Sequence, residues 1–365
     1  MQDEKIKVGI THGDINGIGY EVLLKALSDP RIVEICTPII YGSPKVMAYH
    51  RKMLDIPAFN YSIIGSASEA ADNRINIINC VDEDIKVELG KATPAAGDAA
   101  MQALKRASED MEKELFDVLL TAPINKETIQ SKEFDFPGHT EYLQERLGAG
   151  KKATMILIKD NLRVALVTGH VPLAKVPDMI NKTDLINRIK AFNNTLVFDF
   201  GLQKPRIAVL GLNPHAGDGG VIGSEEQEII IPAIKATQDL GILTFGPYPA
   251  DGFFGSGQFS KFDGILAMYH DQGLAPFKTM AMDMGVNYTA GLPIVRTSPA
   301  HGTAYDIAGQ NIASEESFLQ ALYLGIDVFK SRKQEKSIRS NPLRKQYFDK
   351  GNDNEKLNLK EEGEA

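Results

Sequence analysis

An α/β protein built on a largely parallel sheet is predicted by three features of the 365-residue sequence. Apolar runs of strand length alternate with stretches of helical periodicity to about residue 330, the grammar of βαβ units. Several of these runs stop abruptly at Gly, Pro or polar residues, most sharply in residues 265–278, ILAMYHDQGLAPFK. Three of the seven histidines, His170, His215 and His270, close such runs, in VALVTGH, IAVLGLNPH and ILAMYH. Open α/β sheets bind ligands outside the carboxyl ends of their strands, so these histidines sit where function is expected. One histidine in that position is most often structural. Three of them, with Asp218 and Asp271 close by, point instead to a three-histidine divalent metal site.

Length and composition set the limits. At 365 residues the chain exceeds one ordinary core, which predicts two domains or one large α/β unit with a cleft. With 43% hydrophobic and 24% charged residues, the main body is neither disordered nor fibrous. The net charge of −8 argues against a nucleic-acid partner, which needs a basic face. No apolar run reaches the length of a membrane span, and a strand begins almost at the amino terminus with no leader pattern, so a cytoplasmic location is expected. Cys36 and Cys80 form no CxxC pair and read as small buried hydrophobes.

The elements follow in order. Residues 5–11 form a strand, and THGDINGIG then turns into a helix over about residues 20–27. Its GxxxGxG spacing differs from the GxGxxG of a Rossmann site, and it reads equally as a tight turn or a ligand loop. Residues 32–41 read as a strand, 44–53 as a helix, 75–80 as a strand and 94–114 as a long helix. DVLLTAPI, residues 117–124, is a strand leading to Lys126, which reads as a solvated residue at a helix start. In FPGHTEYL, Pro137 and Gly138 force a turn and Thr140 is a candidate N-cap for a helix through Arg146. A plain capped turn and an oxyanion holder built from His139 and Thr140 are equally consistent with it.

Residues 155–159 and 162–168 are adjacent strands around Asp160 and Asn161, and helical periodicity returns over 182–198. A strand over 206–212 leads into the glycine-rich loop 213–220, NPHAGDGG, after which Ser224, Glu225 and Glu226 open a helix to about residue 240. YPADGFFGSG, residues 248–257, reads as a polar and aromatic loop carrying Asp251. Beyond the 265–278 stretch, with a turn expected over 273–276, residues 286–293 and 294–299 are extended. Arg296 on that apolar segment calls for an anionic partner. AHGTAYDIAGQNIA, residues 300–313, is a loop with a short helix, 316–330 is the last amphipathic helix, and the charged run beyond residue 331 reads as a disordered tail.

Taken together, THGDINGIGYE, TAPINK, PGHTEYL, GHVPL, NPHAGDGG, YPADGFF, YHDQGLAPFK and VRTSPAHGTAYDIAG, in this order, resemble the 4-hydroxythreonine-4-phosphate dehydrogenases of vitamin B6 biosynthesis, the PdxA family, over about residues 5–330. The resemblance implies two α/β/α domains with an intervening cleft, as in the isocitrate and isopropylmalate dehydrogenases. Residues 1–125 with 295–331 would form the cofactor side, 126–294 the metal-ligand and dimer side, and 332–365 the tail. It implies a homodimer whose active site is shared between subunits, with metal ligands at His170, His215 and His270, one of them from the partner chain. Substrate contacts are implied at His139, Thr140, Lys278, Asn287 and Arg296, with Asp251 and Asp271 in the pocket. HGTAYDIAGQN resembles the adenosine-binding loop of the decarboxylating dehydrogenases, which implies NAD at His301, Gly302, Thr303, Asp306 and Asn311. The chain departs from the family pattern at Ile15 and Tyr20, where prolines are usual.

The implied reaction is NAD-dependent oxidation of 4-phosphohydroxy-L-threonine to a β-keto acid that decarboxylates to 3-amino-2-oxopropyl phosphate. A divalent ion, zinc, magnesium, cobalt or nickel, would polarise the secondary hydroxyl. Asp251, Asp271 and Lys278 are the candidate catalytic bases. Two alternatives are weighed against it. A sister branch of the family oxidises 4-phosphothreonate or 4-phosphoerythronate, and a metal-dependent hydrolase would also use three histidines and nearby aspartates but would act without NAD.

Overall fold

The computed structural model describes residues 5–82 and 84–340. Its strands are β1 (Lys7–Thr11), β2 (Thr37–Gly42), β3 (Tyr61–Ile64), β4 (Ile75–Asn79), β5 (Val118–Thr121), β6 (Thr154–Lys159), β7 (Leu162–Leu166), β8 (Arg206–Leu210), β9 (Leu243–Tyr248), β10 (Gly264–Ala267), β11 (Val286–Ala290) and β12 (Val295–Pro299). They join in one 12-stranded sheet of order β3-β4-β2-β1-β5-β12-β11-β6-β7-β10-β8-β9. The first six in that order are parallel to one another, as are β7, β10, β8 and β9. Between the two blocks, β11 is antiparallel to both β12 and β6, and β6 is antiparallel to β7. Three reversals leave the two blocks running in opposite directions. Their carboxyl ends therefore lie at opposite rims of the antiparallel seam.

Helices cover both faces, which is why the parallel strands read as unbroken apolar runs. On β5, Val118 and Leu120 enter one core with Leu23, Phe318 and Leu322, while Leu119 enters another with Leu104, Ala107 and Leu143. A third core packs Val164, Ala208 and Ile265 of the second block against Phe253 and Phe277. Mixed α/β architecture is thus confirmed, and its sheet is continuous across both predicted units.

Several local expectations are corrected. Residues 32–41 are not one strand: a helical turn, Ile32–Ile35, precedes β2, two apolar elements abutting with no turn residue between them. The strands β3 and β9, not predicted, are the two edges of the sheet, where half-exposed side chains weaken the apolar signal. Helix His139–Leu147 starts one residue before the predicted cap, after Gly138, and Thr140 caps nothing. Residues 250–255 are a short helix, and residues 301–313 contain turns but no helix. No turn occurs over 273–276: His270 opens helix His270–Ala281, which continues through Pro276 to Lys278.

The predicted tail begins too early. The last helix, Glu316–Ser340, continues through residue 332, because Arg332 is tied to the second block. Its Nε and Nη2 donate to Asp199 Oδ1 and Oδ2 at 2.7 and 3.1 Å, and Tyr288 Oη donates to Asp199 Oδ2 at 2.6 Å. Arg332 Nη1 also donates to the carbonyls of Leu292, Pro293 and Ile294. Residues 341–365 of the predicted tail lie outside the described residues.

Candidate active site

The face of the antiparallel seam forms the floor of a cavity of about 310 Å³. Side chains alternate across a strand, so Thr121 on β5, Arg296 and Ser298 on β12, Asn287 on β11, and Met155 and Leu157 on β6 all stand on that face. The segment after β5 supplies one rim with Lys126 and, through the next helix, His139, Thr140 and Glu141. The segments after β7 and β10 supply the other with His170, His270 and Lys278. The two sets of strand ends face each other across the seam.

Arg296 is the centre of the floor. It is 2% exposed, yet no carboxylate among the described residues pairs with it. Its Nε and Nη2 donate to Thr121 Oγ1 at 3.2 and 2.6 Å and its Nη1 to Thr289 Oγ1 at 3.0 Å. Burial pushes the guanidinium down to about 10, opposed by the charge of Glu141. A buried cation held by two neutral hydroxyls is incompletely compensated, and the expected anionic partner is not a side chain of the chain itself. Polar atoms around it are also unpaired: His139 Nε2, Asn287 Oδ1 and His301 Nε2 are buried without a hydrogen-bond partner. Burial, with the charges of Arg296 and Lys126, holds His139 well below the ordinary imidazole range, so its ring is neutral.

Two of the three predicted metal ligands meet. The rings of His170 and His270 lie 5.7 Å apart between centroids, and His270 Nδ1 is 2.6 Å from Asp271 Oδ1. A carboxylate on one ring nitrogen orients the other toward a ligand, an arrangement common behind metal-binding histidines. His170 is pushed below its ordinary value by burial and by the charge of Lys126. Neutral imidazoles suit zinc, cobalt or nickel better than magnesium, which prefers oxygen donors. His215 does not join them: it stands exposed in loop Pro214–Gly220, outside the cavity wall. Among the described residues no group of three or more His, Cys, Asp or Glu converges to hold an ion. One chain thus brings together two of the three predicted imidazole donors, a chemistry that fits a divalent metal.

The remaining candidates divide. Lys278 lines the cavity, but Asp251, exposed in the helix Ala250–Gly255, does not, and the Asp271 side chain is 84% exposed and engaged with His270. His301 and Gly302 reach the wall. Thr303, Asp306 and Asn311 instead lie along the next segment, which packs on the amino-terminal glycine loop. Ile18 N donates to Thr303 O at 3.0 Å and Tyr305 Oη to Asp14 Oδ2 at 2.7 Å. A Cβ on Gly17 would come within 2.7 Å of Thr303 O, so glycine is required for that approach. Asn311 takes a left-handed backbone and its Nδ2 donates to Leu54 O at 3.1 Å, while Asp306 is exposed. The glycine loop and the predicted adenosine segment form one layer.

Sequence reasoning missed Glu141 and Ser298 and took Lys126 for a solvated residue. Lys126 is on the wall, an exposed ammonium with no carboxylate within ion-pair distance among the described residues. Its position after a strand end was the available signal.

Comparison with known proteins identifies the family. The family model described as pyridoxal phosphate biosynthetic protein PdxA matches residues 34–325. The chain is 62% identical over 359 residues to a 4-hydroxythreonine-4-phosphate dehydrogenase of Bacteroides thetaiotaomicron, covering 98% of each. It is 39% identical over 334 residues to a D-threonate 4-phosphate dehydrogenase of Cupriavidus necator, covering 90% of this chain and 98% of that one. The crystal structure of a 4-hydroxythreonine-4-phosphate dehydrogenase from Klebsiella pneumoniae matches with a TM-score of 0.77 at 32% identity, covering 90% of this chain and 99% of that one.

Proposed function

We propose that this chain, which belongs to the PdxA family of pyridoxal phosphate biosynthetic proteins, is the dehydrogenase of 4-phosphohydroxy-L-threonine, acting with NAD and a divalent metal. The observation that carries the substrate class is Arg296, a buried cation facing the cavity without a carboxylate of its own. A doubly charged phosphate supplies the missing anion, and the planar fork matches its oxygens. His139 Nε2, Thr140 and Asn287 add donors around it.

His170 and His270 would present ring nitrogens to a metal ion, and His215 of a second copy would complete the set, which makes the active unit a homodimer. When bound, the metal supplies Lewis acidity at the substrate's secondary hydroxyl and NAD the two-electron acceptor. Lys278 takes the hydroxyl proton, since of the three candidate bases it alone lines the cavity. Lys126 and Arg296 keep the site cationic, so charge developing on the carbonyl oxygen during decarboxylation of the β-keto acid is met by fixed partners. His301, Gly302, Thr303, Asp306 and Asn311 would hold the cofactor. No helix among the described residues is long and apolar enough to cross a membrane.

The test is oxidation of 4-phosphohydroxy-L-threonine with NAD, followed by absorbance of the reduced cofactor, with and without chelator. Turnover that is lost with chelator and restored by zinc, cobalt or nickel is expected. No NAD reduction with either this substrate or 4-phosphothreonate would refute the reading, and faster turnover of 4-phosphothreonate would place the chain with the relative from Cupriavidus necator.

A further inference from the structure

His215 is carried by unusual backbone. Five successive residues, His215, Ala216, Gly217, Asp218 and Gly219, hold φ values of 54°, 52°, 79°, 43° and 67°. Three of them are not glycine, and L side chains avoid this left-handed region. Such a run persists only where its surroundings over-determine it.

Backbone bonds close the loop, Ala216 N to Asn213 O and Ile222 N to Gly217 O, and one carboxylate anchors the segment that enters it. Glu226, 1% exposed, opens the helical segment that follows the loop. Its Oε1 accepts from the backbone N–H groups of Leu212 and Asn213, both at 2.7 Å, and its Oε2 from Asn213 Nδ2 at 2.9 Å. A Cβ on Gly217 would come within 2.6 Å of Oε2, so the loop folds directly over the carboxylate. No cation among the described residues pairs with Glu226. Its charge is met by the N–H donors of the segment entering the loop, so its role is to fix backbone. Glu225 grips the same Asn213 amide at 2.7 Å.

We infer that Glu226 is a positioning residue for metal capture: it locks the left-handed loop so that His215 stands out from its own chain, toward a site on a second copy. The inference rests on His215 being the shared ligand described above. A histidine on a pre-ordered loop binds without the cost of ordering that loop, and this sets how tightly the ion is held.

The test is metal affinity of the full chain, with zinc competed against a chromogenic chelator, beside thermal unfolding and amide exchange at residues 215–219. Glu226→Gln keeps the shape but has one acceptor arm instead of two: with its oxygen on the N–H groups of residues 212 and 213, its N–H₂ meets the Asn213 Nδ2 donor. It is expected to weaken zinc binding about 10- to 100-fold, the scale seen when a group orienting a ligand is lost, and to speed exchange in the loop. His215→Ala is expected to weaken binding without changing loop exchange. If Glu226→Gln lowers the melting temperature but the folded protein binds zinc as tightly as wild type, Glu226 is structural only and the inference is overturned. Should that variant not fold, Asn213→Ala decides, because it removes the side-chain ties to Glu226 and Glu225 and leaves the Glu226 carboxylate on the backbone donors: an intermediate loss of affinity supports the inference, and wild-type affinity overturns it. Full affinity in His215→Ala overturns the shared-ligand reading itself, an outcome distinct from any result at Glu226.

Discussion

Replacing Arg296 by Lys isolates the interaction on which the substrate assignment rests. In the native floor the guanidinium commits N–H groups to Thr121 and Thr289, and one N–H on each terminal nitrogen remains for a ligand. A lysine ammonium presents its donors from a single point and cannot reach both threonines and an anion. The positive charge survives, so the loss is that of one charge-assisted hydrogen bond rather than two, about 1.5–3 kcal/mol. That corresponds to a rise in KM for the phosphorylated substrate of roughly 10- to 150-fold. Initial rates are measured with the phosphorylated substrate and with 4-hydroxythreonine, varying each and then NAD. The KM for NAD should stay at its wild-type value, and the unphosphorylated compound should lose far less than the phosphorylated one. An unchanged KM for the phosphorylated substrate, or equal losses for both compounds, would show that Arg296 does not hold the phosphate.

Two further expectations concern stability. His12 and His50 are buried and held down to about 4, chiefly by desolvation, so each stays neutral in the fold but takes a proton below about 6.5 when unfolded. Their contribution is complete above that value and is lost as pH falls from about 6.5 to about 4, roughly 3 kcal/mol for each histidine. The urea midpoint should drop between about pH 7 and pH 5, and a flat profile would contradict this. Arg332→Ala strands Asp199, which is 6% exposed, beside the Tyr288 hydroxyl. Because Arg332 is itself 22% exposed, the cost lies at the low end for a broken buried pair, about 3 kcal/mol in urea unfolding. A change below about 1 kcal/mol would mean the ion pair does not anchor the terminal helix.

What the sequence made legible was local. The strands ending in His170 and His270 announce themselves because a buried strand is apolar throughout and stops at polar residues where it meets the ligand edge. Arg296 stood out because a lone charge on an apolar run demands a partner. The cavity floor was not legible, because Thr121, Asn287 and Arg296 become neighbours only through the pairing of β5 with β12 and of β12 with β11. Nothing in a strand's composition names its neighbour. Asp251 was placed in the pocket by motif order, which carries no orientation, and its helix turns it elsewhere within the chain. Arg332 was assigned to a tail because a charged helix face and a disordered run share a composition, and only the buried Asp199 distinguishes them.

The position of β12 also governs how the chain can be made. Synthesis delivers β1 to β5 first, but β5 has no partner on its outer side until Val295–Pro299 emerges, and the covering helix Glu316–Ser340 comes later still. Through most of translation the nascent first block therefore carries an open strand edge, the kind of surface that templates mispairing with another chain. A chain truncated before Val295 should aggregate rather than accumulate as a folded half. The strand that closes this edge is the one bearing Arg296, so the guanidinium enters its place in the final stage of assembly, and a chain that fails to close never acquires a substrate pocket.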